Sequence, residues 1–308
     1  MIKYTLRRLL SLIPTLIGVS FIVFALLYLT PGDAVTATMG ANAPKEAIEA
    51  TRESLGLNDP FLVQYGRYLK GMLHGDLGTS YHTGQGVAST LGNLFPNTLK
   101  LASFALSIAI FFGIGFGVIS AVKKYSIIDN ITMVLGLIGL AMPIFWSGLL
   151  LILLFSVKWG LLPSSGFTSF KHMILPAVAL GFQSTAVIMR QTRSSMLDVL
   201  DKDYIRTAKA KGLGEGAIIG IHALKNALIP VITTIGLQMG GLLGGSVLTE
   251  TIFSVPGIGR LMVESVKTRD YPIILGGVMF ISFTYCIISI LVDILYGFAD
   301  PKVRAKYK

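Results

Sequence analysis

Six long runs of apolar residues divide this chain, and they constrain its fold more than any other feature. The runs cover residues 9–29, 99–122, 131–157, 174–189, 228–248 and 273–298. A helix needs about 20 mostly apolar residues to cross the hydrocarbon core of a bilayer. Because lipid offers no hydrogen bonds to the backbone, such runs form helices there. The sequence therefore predicts an all-α integral membrane protein with about six transmembrane helices.

The composition supports lipid as the main surrounding of the chain. Hydrophobic residue types make up 53% of the sequence and charged types only 14%, whereas a soluble domain is about 25% charged. The net charge of +10 is compatible with nucleic acid only if the basic residues cluster on a polar domain. The apolar runs leave no such domain, so we expect membrane lipid, and not nucleic acid, as a partner.

The distribution of basic residues predicts the orientation. If the N-terminus is cytoplasmic, most of the 26 Lys and Arg residues fall in cytoplasmic segments, as the positive-inside rule requires. Both termini are then cytoplasmic. The first run follows Lys3, Arg7 and Arg8, and residues 35–37 resemble a signal-peptidase site. The run is longer than the 7–15 residues of a signal peptide core, which favours a retained span.

The runs and loops suggest four parts. Residues 1–29 form the cytoplasmic N-terminus and first span, and residues 30–97 form an extracytoplasmic cap that includes an amphipathic helix at 44–55. Residues 98–298 form a five-helix core that includes a cytoplasmic loop at 190–227, and residues 299–308 form a cytoplasmic tail.

Small and ionisable residues inside the runs are the candidates for packing or function. Gly236, Gly240 and Gly244 recur every fourth residue, so they share one helix face. That face either packs within the chain or meets a partner subunit or the pore. Glu250 and Asp293 lie near the ends of runs, where we expect them to remain solvated and structural.

No metal site is predicted. The single cysteine, Cys286, lies within an apolar run, and the four histidines have no ligand spacing.

The loop at residues 190–227 carries the most informative pattern. It is rich in helix-forming residues, and a helical wheel separates two stripes. One stripe is basic and contains Lys202, Arg206 and Lys209; the other contains Tyr204, Ile205, Ala208 and Gly212. Gly212 and Gly214 are expected to end the helix. Such a helix either lies on anionic lipid or docks into a groove on a protein, and its small residues favour docking.

The same loop resembles the EAA loop of binding-protein-dependent ABC importer permeases. The matching residues are Asp203-Tyr204-Ile205-Arg206-Thr207-Ala208-Lys209-Ala210-Lys211-Gly212-Leu213 and His222-Ala223-Leu224-Lys225-Asn226-Ala227-Leu228-Ile229-Pro230. Arg206-Thr207-Ala208 replaces the conventional Glu-Ala-Ala, as in the dipeptide/oligopeptide/nickel branch. Further motifs of that branch follow in order: Thr30-Pro31-Gly32-Asp33, Gly75-Asp76-Leu77-Gly78, Val255-Pro256-Gly257-Ile258-Gly259-Arg260, Arg269-Asp270-Tyr271-Pro272 and Asp293-x-Leu295-Tyr296-Gly297-x-x-Asp300-Pro301.

The resemblance implies a B-type permease with the type I ABC importer permease fold, located in a bacterial cell membrane. It implies as partners a second, C-type permease, two ABC ATPase subunits and an extracytoplasmic substrate-binding lipoprotein. The loop would be the coupling helix that contacts an ATPase, through Asp203, Tyr204, Ile205, Arg206, Ala208, Lys209, Gly212 and Leu213. Independently of the resemblance, the candidates for helix packing or for lining the pore are Gly236, Gly240, Gly244 and Glu250.

No cofactor is expected in this chain, because the sequence has no phosphate-binding G-x-x-x-x-G-K-[ST] loop. ATP and Mg would bind the partner ATPases. The chain would then be non-catalytic and would form half of a path for dipeptides or oligopeptides.

Alternatives remain at this stage. A nickel chelate, glutathione or another small solute is an alternative cargo. A secondary transporter or channel is an alternative of another class, although its usual chain of intramembrane charges is absent. A membrane hydrolase would need motifs such as H-E-x-x-H or G-x-S-x-G, which the sequence lacks.

Overall fold

The computed structural model describes residues 2–40 and 42–299, and they are mainly helical. In chain order the helices are α1 (Ile2–Leu29), α2 (Ala34–Met39), α3 (Lys45–Ser54), α4 (Phe61–Leu73), α5 (Val87–Val122), α6 (Ile127–Ala141), α7 (Ile144–Leu151), π1 (Ile152–Lys158), α8 (Phe170–Leu200), α9 (Asp203–Ala210), α10 (Glu215–Ala217), π2 (Ile218–Ala223), α11 (Leu224–Ile252), α12 (Ile258–Thr268) and α13 (Tyr271–Ala299). The tail motif at Asp300-Pro301 lies outside the described residues.

Within the described part of the chain, five helical units are long and apolar enough to cross a membrane. They are α1, α5, α8, the unit from α10 through π2 to α11, and α13. A sixth candidate span consists of α6 followed by α7 and π1, and the two parts are bent by 108° relative to each other. The prediction of about six spans is confirmed.

The run at 131–157 differs from the prediction of one continuous helix. The helix is interrupted at Met142 and Pro143. Met142 is extended (φ −78°, ψ 122°), and Pro143 directly precedes the first residue of α7. Proline disfavours the helical conformation of the residue before it, which accounts for the position of the break.

Glycine allows close contact between α5 and α8 at the centre of the molecule. A Cβ atom on Gly113 would lie 2.8 Å from Cγ2 of Ile188, and one on Gly117 would lie 2.6 Å from Cβ of Thr192. Small residues at such crossings let helix backbones approach each other within lipid. α8 is accordingly the most enclosed of the five long spans.

The glycine stripe of α11 divides into two parts. A Cβ atom on Gly236 would lie 2.3 Å from Val292, and one on Gly240 would lie 2.6 Å from Tyr285, both on α13. Gly244 has no atom within 4 Å of such a Cβ position. The first two glycines therefore pack within the chain, and Gly244 faces outward.

Helices α2, α3 and α4, with the loop that runs to residue 86, form a small unit at one end of the bundle, here called the cap. Helix α3 confirms the helix predicted at 44–55. The buried carboxylate of Asp270 accepts hydrogen bonds from Ser80 Oγ and, at 3.2 Å, from the Tyr81 amide. His82 Nε2 lies 2.9 Å from the Thr268 carbonyl oxygen. These bonds fasten the cap to the connection between α12 and α13.

Glu250 is buried, and the expectation that it remains solvated was wrong. Its side chain is 0% exposed because the chain after α11 turns back over the carboxylate. Oε2 accepts a hydrogen bond from the Arg260 amide at 3.1 Å, and a Cβ on Gly257 would lie 2.4 Å from Cδ of Glu250. The turn is also tied to α5, where Asn97 Nδ2 donates to the Pro256 carbonyl at 2.8 Å. The Asp293 side chain lies outside the described residues.

Candidate functional site

The loop at 190–227 folds into the end of α8 and three short helical pieces, of which α9 corresponds to the predicted coupling helix. α9 begins after the extended residue Lys202 and has Asp203 in its first turn. An acidic side chain at this position interacts favourably with the helix dipole. The last residue of α9 is Ala210, and Gly212, the residue predicted to stop the helix, follows with a φ of +79°. Hydrogen bonds from Gly212 N to Lys209 O (2.9 Å) and from Leu213 N to Ala208 O (3.3 Å) form a Schellman motif.

One face of α9 is buried against the chain itself. Ile205 is 0% exposed and Ala208 is 7% exposed. They pack in a cluster with the end of α5, the last turns of α8, π2 and the start of α11; its other buried members are Ala121, Met196, Ile218, Ala223 and Ala227. The helical wheel of the sequence analysis grouped Ile205 and Ala208 with Tyr204 and Gly212 on the face expected to contact a partner. They face inward because π2 and the helix ends form an apolar surface beneath α9.

The opposite face of α9 is exposed and combines basic and apolar groups. Arg206 and Lys209 are exposed, and the ion pair between Arg206 and Asp203 (3.7 Å) is at the surface, so it contributes little stability. Tyr204 is 44% exposed and its Oη accepts a hydrogen bond from Asn226 Nδ2 at 3.2 Å. Leu213 is 42% exposed. This is the surface that remains for a partner.

A buried ion pair lies at the same end of the bundle, and sequence reasoning missed it. Arg193 of α8 donates from Nε to Oδ1 of Asp129 at 2.7 Å and from Nη2 to Oδ2 at 2.8 Å. Ser120 of α5 and the Tyr125 amide also donate to this carboxylate. A signal was present in the sequence, because Asp129 lies two residues before the apolar run at 131–157, whereas the prediction of ionisable residues near span ends covered only Glu250 and Asp293. This Asp129–Arg193 clamp joins α5, α6 and α8.

Packed side chains connect α9 with the core helices. The buried face of α9 rests on helix ends of the core, and the clamp joins three of the core helices. Over the residues that the structure describes, no three His, Cys, Asp or Glu side chains are placed to hold a metal ion. A displacement of α9 would reach the spans through packed side chains.

Comparison with known proteins defines the class. Residues 113–305 match the family described as binding-protein-dependent transport system inner membrane component, and residues 1–102 match the N-terminal region of such components. The chain belongs to this family. It is a multi-pass inner membrane protein and a permease subunit of an ATP-driven importer, and the alternative of a secondary transporter or channel is not supported.

Particular relatives refine this class. The chain is 43% identical to the dipeptide transport system permease protein DppB of Alkalihalophilus pseudofirmus, over 99% of this chain and 100% of that one. It is equally identical, with the same coverage, to DppB of Escherichia coli K12. It is 42% identical to the glutathione transport system permease protein GsiC of Escherichia coli O6:H1, again over 99% and 100%. The predicted dipeptide/oligopeptide branch is confirmed.

Solved structures share the fold. An amino acid ABC transporter determined with histidines matches 68% of this chain and 92% of its own, with a TM-score of 0.51 and 16% identity. The MetNI methionine ABC transporter, in an inward-facing conformation, matches 70% and 95%, with a TM-score of 0.55 and 18% identity. These matches confirm the predicted type I permease fold.

Proposed function

We propose that this chain forms half of the path by which an ATP-driven importer carries short peptides into the cell. The observation that carries the proposal is full-length similarity to dipeptide permeases at 43% identity. In this arrangement both termini and α9 are cytoplasmic, and the cap faces outward. The cap and the segment at 251–272 would receive the substrate-binding lipoprotein.

Two kinds of short peptide are candidate cargoes. Glutathione is itself a small peptide, and its permease is 42% identical to this chain against 43% for the dipeptide permeases. That difference does not separate the two cargoes. A path for peptides must also accept many different side chains, so we expect few residues in its lining to be specific for one cargo. A nickel chelate or another small solute remains the alternative.

The coupling site in this proposal is the exposed face of α9. Asp203, Arg206 and Lys209 would supply polar contacts to an ABC ATPase, and Tyr204 and Leu213 would supply apolar contacts. Ile205 and Ala208 would hold α9 on the core from beneath, and Gly212 would let the partner approach closely. The exposed basic groups and the buried apolar base support this division of roles.

The mechanism requires α9 to bind the ATPase differently in the two states of the transporter. Closure of two ATPase subunits on ATP would displace α9, and the Asp129–Arg193 clamp and the cluster around Ile205 would pass this movement to α5, α6 and α8. The outward face of α11 at Gly244 is suited to the second, C-type permease or to the path between the two.

Crosslinking tests the coupling site. In a background with Cys286→Ser, a Lys209→Cys variant labelled at its thiol with a short photoreactive crosslinker should form a crosslink to an ATPase subunit in the purified complex. Lys267→Cys, an exposed position on α12 at the cap end, is the matched control and should form none. If position 267 reached the ATPase and position 209 did not, the proposed docking face would be wrong.

Uptake by the reconstituted complex tests the cargo. We expect labelled dipeptides and tripeptides to enter proteoliposomes in an ATP-dependent manner when the binding protein is present. Preferential uptake of glutathione or of a nickel chelate would replace the peptide assignment but keep the importer. Uptake without any ATPase subunit would overturn the importer mechanism itself.

A further inference from the structure

The six apolar runs contain only two carboxamide side chains, Gln183 and Gln238. Gln183 lies near the middle of the run at 174–189, and Gln238 lies in the middle of the run at 228–248. Both are therefore placed at the depth of the hydrocarbon core. A polar side chain at this depth is costly unless it faces protein or a water-filled cavity, and it commonly marks the route of a substrate.

The structure brings the two glutamines close together on neighbouring spans. Gln238 of α11 donates from Nε2 to Oγ of Ser184 at 2.8 Å, and Ser184 is the residue after Gln183 on α8. This bond joins the two helices, as polar side chains often do within a membrane, and it accounts for Gln238. Gln183 is exposed and makes no hydrogen bond within the part of the chain that the structure describes. Helix packing therefore does not explain Gln183.

The exposed surface of α8 is polar along the whole helix after Phe170. Its exposed residues there are Lys171, Gln183, Arg190, Ser194 and Asp198. The last four are spaced by seven, four and four residues, so they share one helix face. Arg190 follows Gln183 by about 10 Å along the helix axis. The polar face thus extends from the middle of the span to the end of the bundle that carries α9.

Other spans expose side chains of a different kind. The exposed residues of α1, α5 and α13 include Leu26, Phe111 and Leu291, respectively. Such large apolar side chains are suited to lipid, and the exposed face of α8 has none of them after its first residue. The polar face of α8 therefore does not face lipid.

The adjoining face of α11 leaves space beside Gln183. Gly241 and Gly244 are exposed, and a Cβ atom on either would meet no atom within 4 Å. α5 covers the other side of α8 and α11, where Ile188 and Val231 pack with it in one cluster. The open faces of α8 and α11 therefore lie on the same side of this helix pair. They form one surface that is polar on α8 and has small residues on α11.

The chemistry of this surface is suited to a water-filled path. The core of a contact between subunits is depleted of charged residues, whereas this surface carries Arg190 and Asp198. A glutamine carboxamide has both hydrogen-bond donors and an acceptor, and each peptide unit of a cargo likewise has an N–H and a C=O group. Gln183 can therefore bind a peptide backbone whatever the side chains of the cargo are.

We propose that Gln183 binds the backbone of the peptide cargo at the middle of the translocation path. Arg190, Ser194 and Asp198 line the water-filled part that leads from there to the end with α9, and the space at Gly241 accommodates side chains of the cargo. This inference rests on the proposed function, because it takes a peptide as the cargo and names the residue that meets it.

Peptide uptake by complexes reconstituted with the binding protein tests the role of Gln183. Gln183→Leu keeps a side chain of similar size but removes its donors and acceptor. It should lower the rate of uptake about 3- to 10-fold, by a similar factor for dialanine and dilysine, and Gln183→Asn should recover part of the loss. Thermal unfolding of the complex should not change. A lower unfolding temperature with the same uptake per folded complex would show a structural role and overturn the proposal.

Crosslinking tests whether the cargo reaches this position. In a background with Cys286→Ser, Gln183→Cys labelled at its thiol with a short photoreactive group should react with a radiolabelled dipeptide during turnover. Leu135→Cys, an exposed position on α6, is the matched control and should not react with it. Reaction of position 183 with the second permease alone would overturn the proposal and assign this face to a subunit contact.

The unmodified complex separates failure of this inference from failure of the proposed function. If that complex imports dipeptides and Gln183→Leu imports them equally well, only the role of Gln183 is wrong. If the unmodified complex imports no peptide, the peptide cargo is wrong as well.

Discussion

At the scale of single residues, Gly212 is required by a backbone angle and not by lack of space. Its φ of +79° lies in the left-handed region, yet a Cβ at this position would meet no atom of the chain within 4 Å. An Ala substitution would therefore cost about 1 kcal/mol through the backbone alone. A larger effect would have to come from a partner.

Because a side chain at position 212 meets nothing within the chain, substitutions of Gly212 test coupling to a partner directly. We expect Gly212→Leu to lower peptide uptake at least about 10-fold while ATP hydrolysis by the complex and membrane insertion persist. Gly212→Asn is the control, because Asn accepts a positive φ more readily than other residues. Uptake and ATP hydrolysis are measured on the same proteoliposomes. Normal uptake by Gly212→Leu would contradict the docking of this face.

Asp33 makes the cap sensitive to acid. Burial alone would raise the pKa of its carboxyl, but hydrogen bonds from Thr36 and Arg52 outweigh burial and hold the pKa below its ordinary value. The carboxylate also accepts from the amides of Val35 and Thr36 and thereby caps α2. Because the folded pKa is lowered, this stabilisation is present above the unfolded value of about 3.9 and is lost as the pH falls through the folded value.

We therefore expect amide exchange in α2 and α3 to accelerate as the pH falls below about 4, after correction for the intrinsic pH dependence of exchange. An Asp33→Asn variant should exchange faster at neutral pH and should lose this additional acid dependence. Hydrogen–deuterium exchange with mass spectrometry measures both. An acid response unchanged in Asp33→Asn would show that another group is responsible.

At the scale of elements, the Asp129–Arg193 clamp joins three helices through one carboxylate. The Asp129 side chain is 3% exposed and that of Arg193 is 20% exposed. Removing one partner of such a pair leaves an uncompensated buried charge, which costs about 3 kcal/mol or more. Arg193 also lies about two turns before the end of α8, the helix that leads directly into α9.

Asp129→Asn should therefore lower the thermal stability of the purified complex, and it should reduce uptake more than ATP hydrolysis if the clamp transmits movement. The exchanged pair Asp129→Arg with Arg193→Asp should recover part of both losses, since it restores opposite charges. Thermal unfolding and coupled uptake assays measure the two effects. A double variant no better than the worse single variant would argue against a direct charge interaction.

At the scale of the whole molecule, the arrangement has two functional ends. The cap and the turn over Glu250 form one end, and α9, π2 and the clamp form the other. Glycine crossings pack α5 against α8 and α11 against α13 between these ends. Such an architecture suits a transporter whose cargo and energy arrive from opposite sides of a membrane.

Labelling of intact cells tests this polarity. With Cys286→Ser as background, Lys267→Cys should react with a membrane-impermeant maleimide added outside, because it lies at the cap end. Lys209→Cys should react only after the membrane is opened. The reverse pattern would invert the proposed orientation of both termini.

Much of the fold could be predicted because its determinants are local. An apolar run of about 20 residues specifies a membrane helix whatever its neighbours are, and a glycine with the right flanking residues specifies the end of α9. The motif around Tyr204 to Leu213 likewise identified the family from consecutive residues. These features depend on backbone hydrogen bonding and transfer into lipid, which act within one segment.

Contacts between distant segments were decided only by the tertiary structure. Glu250 is buried because a turn of the following chain covers it. Arg193 pairs with Asp129, which lies 64 residues earlier in the sequence. The direction in which Ile205 and Ala208 point depends on π2, and the division of the glycine stripe depends on α13. Helical periodicity fixes which residues share a face. Only packing decides whether that face meets the chain itself, lipid or another protein.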